Sequence, residues 1–136
     1  MSDSAEVAGA FAIVDAHQHF WDPIVHRYPW LDDPDAPRVL EGQAALAACP
    51  NASIKISGLG QRGPAWTAAT NGAIVRTIID LFGVERCMFA SNFPVDSLCG
   101  TFPAVFGGFR EIVGDLSATE QRLLFRDNAI RIHDMR

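Results

Sequence analysis

Three short apolar runs, each ended abruptly by polar residues, constrain the fold of this chain more than any other feature. They cover residues 11–14, 52–57 and 87–91. Runs of this length are typical of strands that are buried on both faces. The stretches between them are long enough to hold helices, and strands that alternate with helices indicate βαβ units and a parallel sheet. We therefore predict an α/β fold.

Helices are predicted from apolar spacing and from signals at their ends. The segments are residues 39–48, 73–82 and 102–113, and Gly83 provides the stop for the second of them. A further helix is expected to begin at residues 117–120, where the sequence Ser-Ala-Thr-Glu forms a capping box. The intervening residues 20–37 and 61–71 are rich in Trp, Pro and polar residues, and we interpret both as loops.

The composition is that of a globular protein and excludes several kinds of partner. The 136 residues suit a single domain, and 49% of them are hydrophobic. A net charge of -5 without any basic run argues against nucleic-acid and anionic-membrane partners. The apolar runs are far shorter than the roughly 20 residues of a membrane span. Three cysteines without C-x-x-C spacing signal neither a disulfide framework nor a thiolate metal site, so we expect a cytoplasmic protein.

Polar side chains follow each predicted strand, where parallel α/β folds place their chemistry. His17 and His19 come after the first run. Residues two apart in extended backbone point to the same side, so both imidazoles can bind one metal ion. The alternative is a pair of loop histidines that only bind nearby carbonyl groups.

Candidates for substrate contact follow the other two strands. Lys55 either faces a pocket, where it would bind a carboxylate or carbonyl oxygen, or extends its ammonium group into solvent. Asn92 can bind substrate but cannot act as a general base, because an amide does not accept a proton near neutral pH. The nearby Asp96 is interpreted as a solvated loop carboxylate. Trp21 and Phe93, with other loop aromatics, either line an apolar pocket or fill an irregular core.

Several segments together resemble the amidohydrolase-related family, the lactonase-like TIM-barrel hydrolases that include fuconolactonase and sulfomuconolactonase relatives. Residues 13–23 resemble the family's opening strand with its H-x-H pair, and residues 51–59 resemble the penultimate strand. Residues 82–95 resemble the last strand, and residues 116–129 the final helices. The resemblance implies a (β/α)8 barrel that hydrolyses a lactone, with a divalent metal, zinc first, or without any metal.

The chain also departs from that family. A complete barrel needs about 250 residues, and here the opening motif is followed closely by the penultimate strand. The middle strands are therefore expected to be absent, with a junction at about residues 33–43 of one truncated domain. Many members carry Asp as a base where this chain has Asn92.

We accordingly predict a partial barrel with about three parallel strands and flanking helices. The predicted function is hydrolysis of a lactone or a similar cyclic ester or amide by water attack on the carbonyl group. His17, His19 and Asn92 would be catalytic, the two histidines would also bind the metal, and Lys55, Trp21 and Phe93 would contact the substrate. The alternative is a catalytically impaired chain that serves for binding or assembly. Open sheet edges lead us to expect self-association.

Overall fold

A computed structural model describes residues 12–14, 40–61 and 63–135 of the chain. The elements are mixed helix and strand, as predicted. Two strands, β1 (Ile54–Ile56) and β2 (Cys87–Phe89), form a parallel sheet. Five helices accompany them in the described residues: α1 (Leu40–Ala47), α2 (Ala68–Phe82), α3 (Phe102–Ile112), α4 (Ala118–Arg122) and α5 (Asn128–Ile132).

Shorter turns complete the described structure. Two 3₁₀ turns, Val84–Arg86 and Val95–Leu98, lie on either side of β2. A π-helical turn, Leu123–Asp127, joins α4 to α5. No helix in the described part is long and apolar enough to cross a membrane.

The sheet is smaller than the sequence predicted. Ile54 lies opposite Cys87 and Ile56 opposite Phe89, and the last ladder bond runs from the Ala90 N–H to Ile56 O (3.2 Å). The strand predicted at residues 11–14 is wrong for the three residues described there. The Val14 N–H donates to the carbonyl of Phe125 (3.0 Å), so this backbone joins the C-terminal helical region and not a strand.

Capping boxes determine where two of the helices begin. The predicted capping box at Ser117 is confirmed, since Ser117 Oγ accepts from the Glu120 N–H (3.3 Å) and Glu120 Oε2 accepts from the Ser117 N–H (2.9 Å). The start predicted for α2, residue 73, is wrong by five residues. Thr67 and Thr70 form a second capping box, which places the start of α2 at Ala68.

The core lies on one face of the sheet and is built around Phe89 of β2. Its ring stacks on Phe109 of α3 (4.2 Å between centroids) and meets Phe125 edge-on (4.8 Å). Trp66 packs edge-on against Phe109 (4.9 Å) and is only 5% exposed. Each fully buried aromatic side chain of this kind contributes about 1.5–3 kcal/mol to stability. These contacts hold α3 and the C-terminal helices against β2.

Arg86 ties three separate segments together near the beginnings of the strands. Its Nη2 donates to Ala47 O at the end of α1 (3.0 Å), and its Nη1 donates to Cys49 O in the turn before β1 (2.8 Å). Its Nε donates to Phe82 O at the end of α2 (2.8 Å). A guanidinium group has five donors in a planar fork and can satisfy all these carbonyl groups at once.

Asn128 fixes the C-terminal helix to the same end of the sheet. This fully buried side chain donates from Nδ2 to Val84 O and to Cys87 O, both at 2.7 Å. Arg131 Nη2 donates to its Oδ1 (3.1 Å). The amide therefore anchors α5 to the beginning of β2. With both anchors at the amino ends of the strands, the carboxyl ends are left for other contacts.

Candidate functional site at the carboxyl ends of the strands

The segments that follow β1 and β2 meet at one edge of the sheet, as the sequence predicted. Gly58 follows β1, Asn92 follows β2, and a Cβ built on Gly58 would lie 3.5 Å from Asn92 Nδ2. Both residues have positive φ, +69° at Gly58 and 57° at Asn92. Gly and Asn tolerate this conformation better than other residues do. The left-handed backbone ends both strands abruptly and brings Asn92 beside the end of β1.

Asp96 is the residue at this edge that the sequence interpretation missed. The solvated carboxylate predicted at this position is wrong, because Asp96 is only 4% exposed. Asn92 Nδ2 donates to Asp96 Oδ1 (2.8 Å), and the backbone N–H of Gly60 also donates to the carboxylate. Burial raises the pKa of the Asp96 carboxyl group, and these two hydrogen bonds offset part of the rise.

The turn that carries Asp96 is held by its own backbone. The Asp96 N–H donates to Asn92 O (3.0 Å), and Asp96 O accepts from the N–H groups of Cys99 and Gly100, both at 3.0 Å. The Cys99 thiol donates to the same carbonyl (3.2 Å). Burial and the negative charge of Asp96 raise the pKa of this thiol. Trp66 N–H donates to Cys99 O (2.8 Å), which connects the turn to the core.

A cleft of about 610 Å³ lies along β1 and the first turns of α2. Ile74 and Ile78 contribute apolar surface, and Lys55, Ser57 and Asn71 contribute polar groups. The side chain of Lys55 lines this cleft and is exposed, so the structure does not show a desolvated ammonium group. A substrate contact at Lys55 stays a prediction.

The loop aromatics divide between core and periphery. Trp66 fills the core, and the cavity that it helps to line is very small, about 10 Å³. Phe93 is partly buried, packs on the core and meets Phe102 edge-on (5.8 Å between centroids). Trp21 lies outside the described residues, and its predicted substrate contact remains untested.

The metal site predicted at His17 and His19 also lies outside the described residues. Within the described ranges no group of three or more His, Cys, Asp or Glu side chains could hold a metal ion. Zinc sites need three or four protein ligands. Asp96 would supply one carboxylate ligand at this edge, and the Asn92 amide and the Gly60 N–H already donate to it. The described part of the site therefore does not fit a metal by itself.

Comparison with known proteins places the chain in a family. A family model for amidohydrolases matches residues 26–134. The uncharacterized protein y4mH of Sinorhizobium fredii (strain NBRC 101917 / NGR234) is 42% identical over 99 residues, which make up 70% of this chain and 33% of that protein. The chain thus spans about a third of the length of this curated relative.

Solved structures give the same result. The structure resembles an amidohydrolase from Burkholderia multivorans with HEPES bound, with a TM-score of 0.61 and 27% identity over 77% of this chain and 40% of that one. The structure of the same protein with zinc bound gives a TM-score of 0.56 and 26% identity, and the match covers 68% of this chain and 35% of that one. Amidohydrolase 2 from Bifidobacterium longum subsp. infantis gives a TM-score of 0.51 and 29% identity, and the match covers 76% of this chain and 37% of that one. On this evidence the chain belongs to the amidohydrolase family, as the resemblance in its sequence predicted.

Proposed function

We propose that this chain carries part of the active site of a hydrolase that opens a lactone, or a similar cyclic ester or amide, by water attack on the carbonyl group. The observation that carries the proposal is the hydrogen bond between the half-buried Asn92 amide and the buried Asp96 carboxylate at the carboxyl ends of both strands. A buried carboxylate with a raised pKa at this position is characteristic of functional sites. The cleft beside β1 offers room for a small substrate.

Each candidate residue has a role in this proposal. Asn92 positions the attacking water or a substrate hydroxyl group, and Lys55 binds a carboxylate or carbonyl oxygen of the substrate. Phe93 and Trp21 contact its apolar part. His17 and His19 polarise the carbonyl group, either directly or as ligands of a divalent metal. Zinc is the first candidate for that metal, since the Burkholderia multivorans amidohydrolase has a structure with zinc bound.

We further propose that β1 and β2 belong to an incomplete (β/α)8 barrel. The likeness to parts of longer amidohydrolase structures supports this arrangement. In the described part of the chain each of the two strands pairs only with the other. Strand edges of this kind favour association with further chains. We therefore expect the purified chain to form dimers or larger assemblies, and light scattering after size-exclusion chromatography measures this directly.

The proposed activity is tested by following acid release from a panel of sugar and aromatic lactones. We expect turnover by the purified chain, with a large loss in Asn92→Gly, which keeps the left-handed backbone but removes the amide. Asp80→Asn is the matched control, because Asp80 is an exposed carboxylate of α2, away from the strand ends. If a folded chain turns over none of the lactones, with or without added zinc, the hydrolase proposal fails. The chain would then be a binding or assembly module.

A further inference from the structure

The chemistry of the Asn92–Asp96 contact determines which way the amide of Asn92 faces. The two side chains meet at 2.8 Å between Asn92 Nδ2 and Asp96 Oδ1. An ionised carboxylate only accepts hydrogen bonds, whereas an amide has one donating and one accepting end. The NH2 group must therefore face Asp96. The carbonyl oxygen Oδ1 is bonded to the same carbon atom and faces the other way.

The carboxylate is held in place from several sides. Gly60 donates its backbone N–H to it, and a Cβ on Gly60 would lie 2.8 Å from Asp96 Oδ1 and would overlap the sulfur of Cys99. The backbone of Asp96 is bonded to Asn92 O on one side and to Gly100 N on the other. The backbone of Asp96 is therefore fixed, and Gly60 and Cys99 close off one side of its carboxylate. The described groups that face its carboxylate are the Asn92 amide, the Gly60 N–H and the Cys99 side chain.

We propose that Asp96 is a positioning residue, which fixes the Asn92 amide so that its Oδ1 is the acceptor presented at the carboxyl ends of the strands. This inference rests on the proposed hydrolase function and makes it more specific. An acceptor at Asn92 selects a ligand that brings an O–H group, either the attacking water or a hydroxyl group of the lactone. Asn92 is half-buried, so its amide remains within reach of such a ligand.

The competing explanation is that Asp96 only ties two loops together. Asp96→Asn separates the two roles, because an amide at position 96 still fills the space and still accepts a hydrogen bond. It loses the charge, however, and offers an NH2 group of its own, so that the Asn92 amide can face either way. If Asp96 only holds the two loops together, Asp96→Asn should change the melting temperature without any specific effect on the Asn92 amide.

The experiment follows the side-chain NH2 resonances of Asn92 by ¹⁵N NMR in the full chain, with Asn92→Gly to assign them. In the wild type we expect one amide proton shifted downfield and exchanging at least about ten times more slowly than that of an exposed Asn, because a charge-assisted bond is short and strong. In Asp96→Asn this signature should be lost, and in Asp80→Asn it should remain. Unchanged resonances in Asp96→Asn would overturn the proposal, whether or not the chain hydrolyses a lactone.

Kinetics of the same variants identify the O–H group. Loss of a contact that positions a reacting group can lower activity by up to roughly 100-fold. If the ligand is water, Asp96→Asn should lower kcat for every lactone and leave KM unchanged. If it is a substrate hydroxyl group, the loss should be confined to hydroxylated lactones and absent for deoxy analogues. An unchanged kcat and KM on every substrate would contradict the positioning role. Absence of turnover in the wild type would refute the hydrolase function, while the NMR result still decides how the amide is oriented.

Discussion

Two neighbouring glycines of α3 allow a matched test of the core that supports the site. A Cβ on Gly107 would meet nothing within 4 Å, whereas a Cβ on Gly108 would overlap Cζ3 of Trp66 and lie 3.0 Å from its Cε3. Alanine is better than glycine in a helix by about 0.8–1 kcal/mol. Gly107→Ala should therefore raise the free energy of unfolding by about that amount.

Gly108→Ala gains the same propensity but forces the indole ring away. Carbon atoms pack at about 3.5–4.0 Å, and the ring of Trp66 is confined by Phe109 and by the bond from its backbone to Cys99 O. Overpacking of this kind typically costs about 1–3 kcal/mol. The upper half of that range applies here. After the gain in helix propensity is subtracted, we expect the free energy of unfolding to fall by about 1–2 kcal/mol. The two variants should then differ by roughly 2–3 kcal/mol.

Urea unfolding followed by circular dichroism measures both variants against the wild type. Trp66→Leu provides the second half of a double-mutant cycle, because leucine lacks the ring atoms that the new methyl group would meet. In that background Gly108→Ala should lose most of its destabilising effect. Equal and stabilising effects of the two glycine substitutions would refute the close contact between Trp66 and α3.

Three further predictions concern buried polar groups. Asn128→Asp places an acceptor-only carboxylate against two carbonyl oxygens. The free energy of unfolding of this variant at pH 7 should therefore fall by about 3–5 kcal/mol and should recover in part in acid, where the carboxyl group can donate. Denaturant titrations at pH 7 and pH 4 measure this. Burial raises the pKa of the Cys87 thiol to about 12, so a thiol reagent should label the exposed Cys49 in the folded protein and Cys87 only after unfolding, as peptide mass mapping would show. Because the folded state raises the pKa of Asp96, the folded protein binds this proton more tightly than the unfolded chain does, and the resulting stabilisation is full below the unfolded pKa and lost as pH rises through the folded pKa. As pH rises from 4 to 7, the free energy of unfolding should therefore fall less in Asp96→Asn than in the wild type. An equal fall in both proteins would contradict the raised pKa.

The parts of the fold that the sequence predicted depend on neighbouring residues. Ser117 and Glu120 are three positions apart, and their reciprocal hydrogen bonds need nothing from the rest of the chain. Gly83 ends α2 because its positive φ of 80° is favourable for glycine. The early start of α2 was missed, because its capping box has Thr70 at the position where Glu or Gln is expected.

The parts that were missed depend on residues far apart in the sequence. Asp96 is buried because Gly60 lies against it, and nothing near Asp96 in the sequence signals that approach. Nothing near Asn128 in the sequence signals its burial either, since its carbonyl partners Val84 and Cys87 lie more than 40 positions away. The sequence therefore predicted that polar residues gather at the ends of the strands, but not the buried carboxylate to which Asn92 donates.

Arg86 has a consequence for how far related sequences can diverge. Within the described part of the chain, every hydrogen bond from its guanidinium group reaches a main-chain carbonyl oxygen, on Ala47, Cys49, Ala52 and Phe82. These hydrogen bonds depend on the path of the backbone and not on the side chains at the four positions. Phe82 is the exception, because its ring centroid also lies 5.4 Å from Cζ of Arg86 and the ring is buried in the core. As far as Arg86 is concerned, substitutions at positions 47, 49 and 52 can therefore accumulate as long as the backbone keeps its course, whereas lysine at position 86, with a single nitrogen atom, could not reach the three segments together.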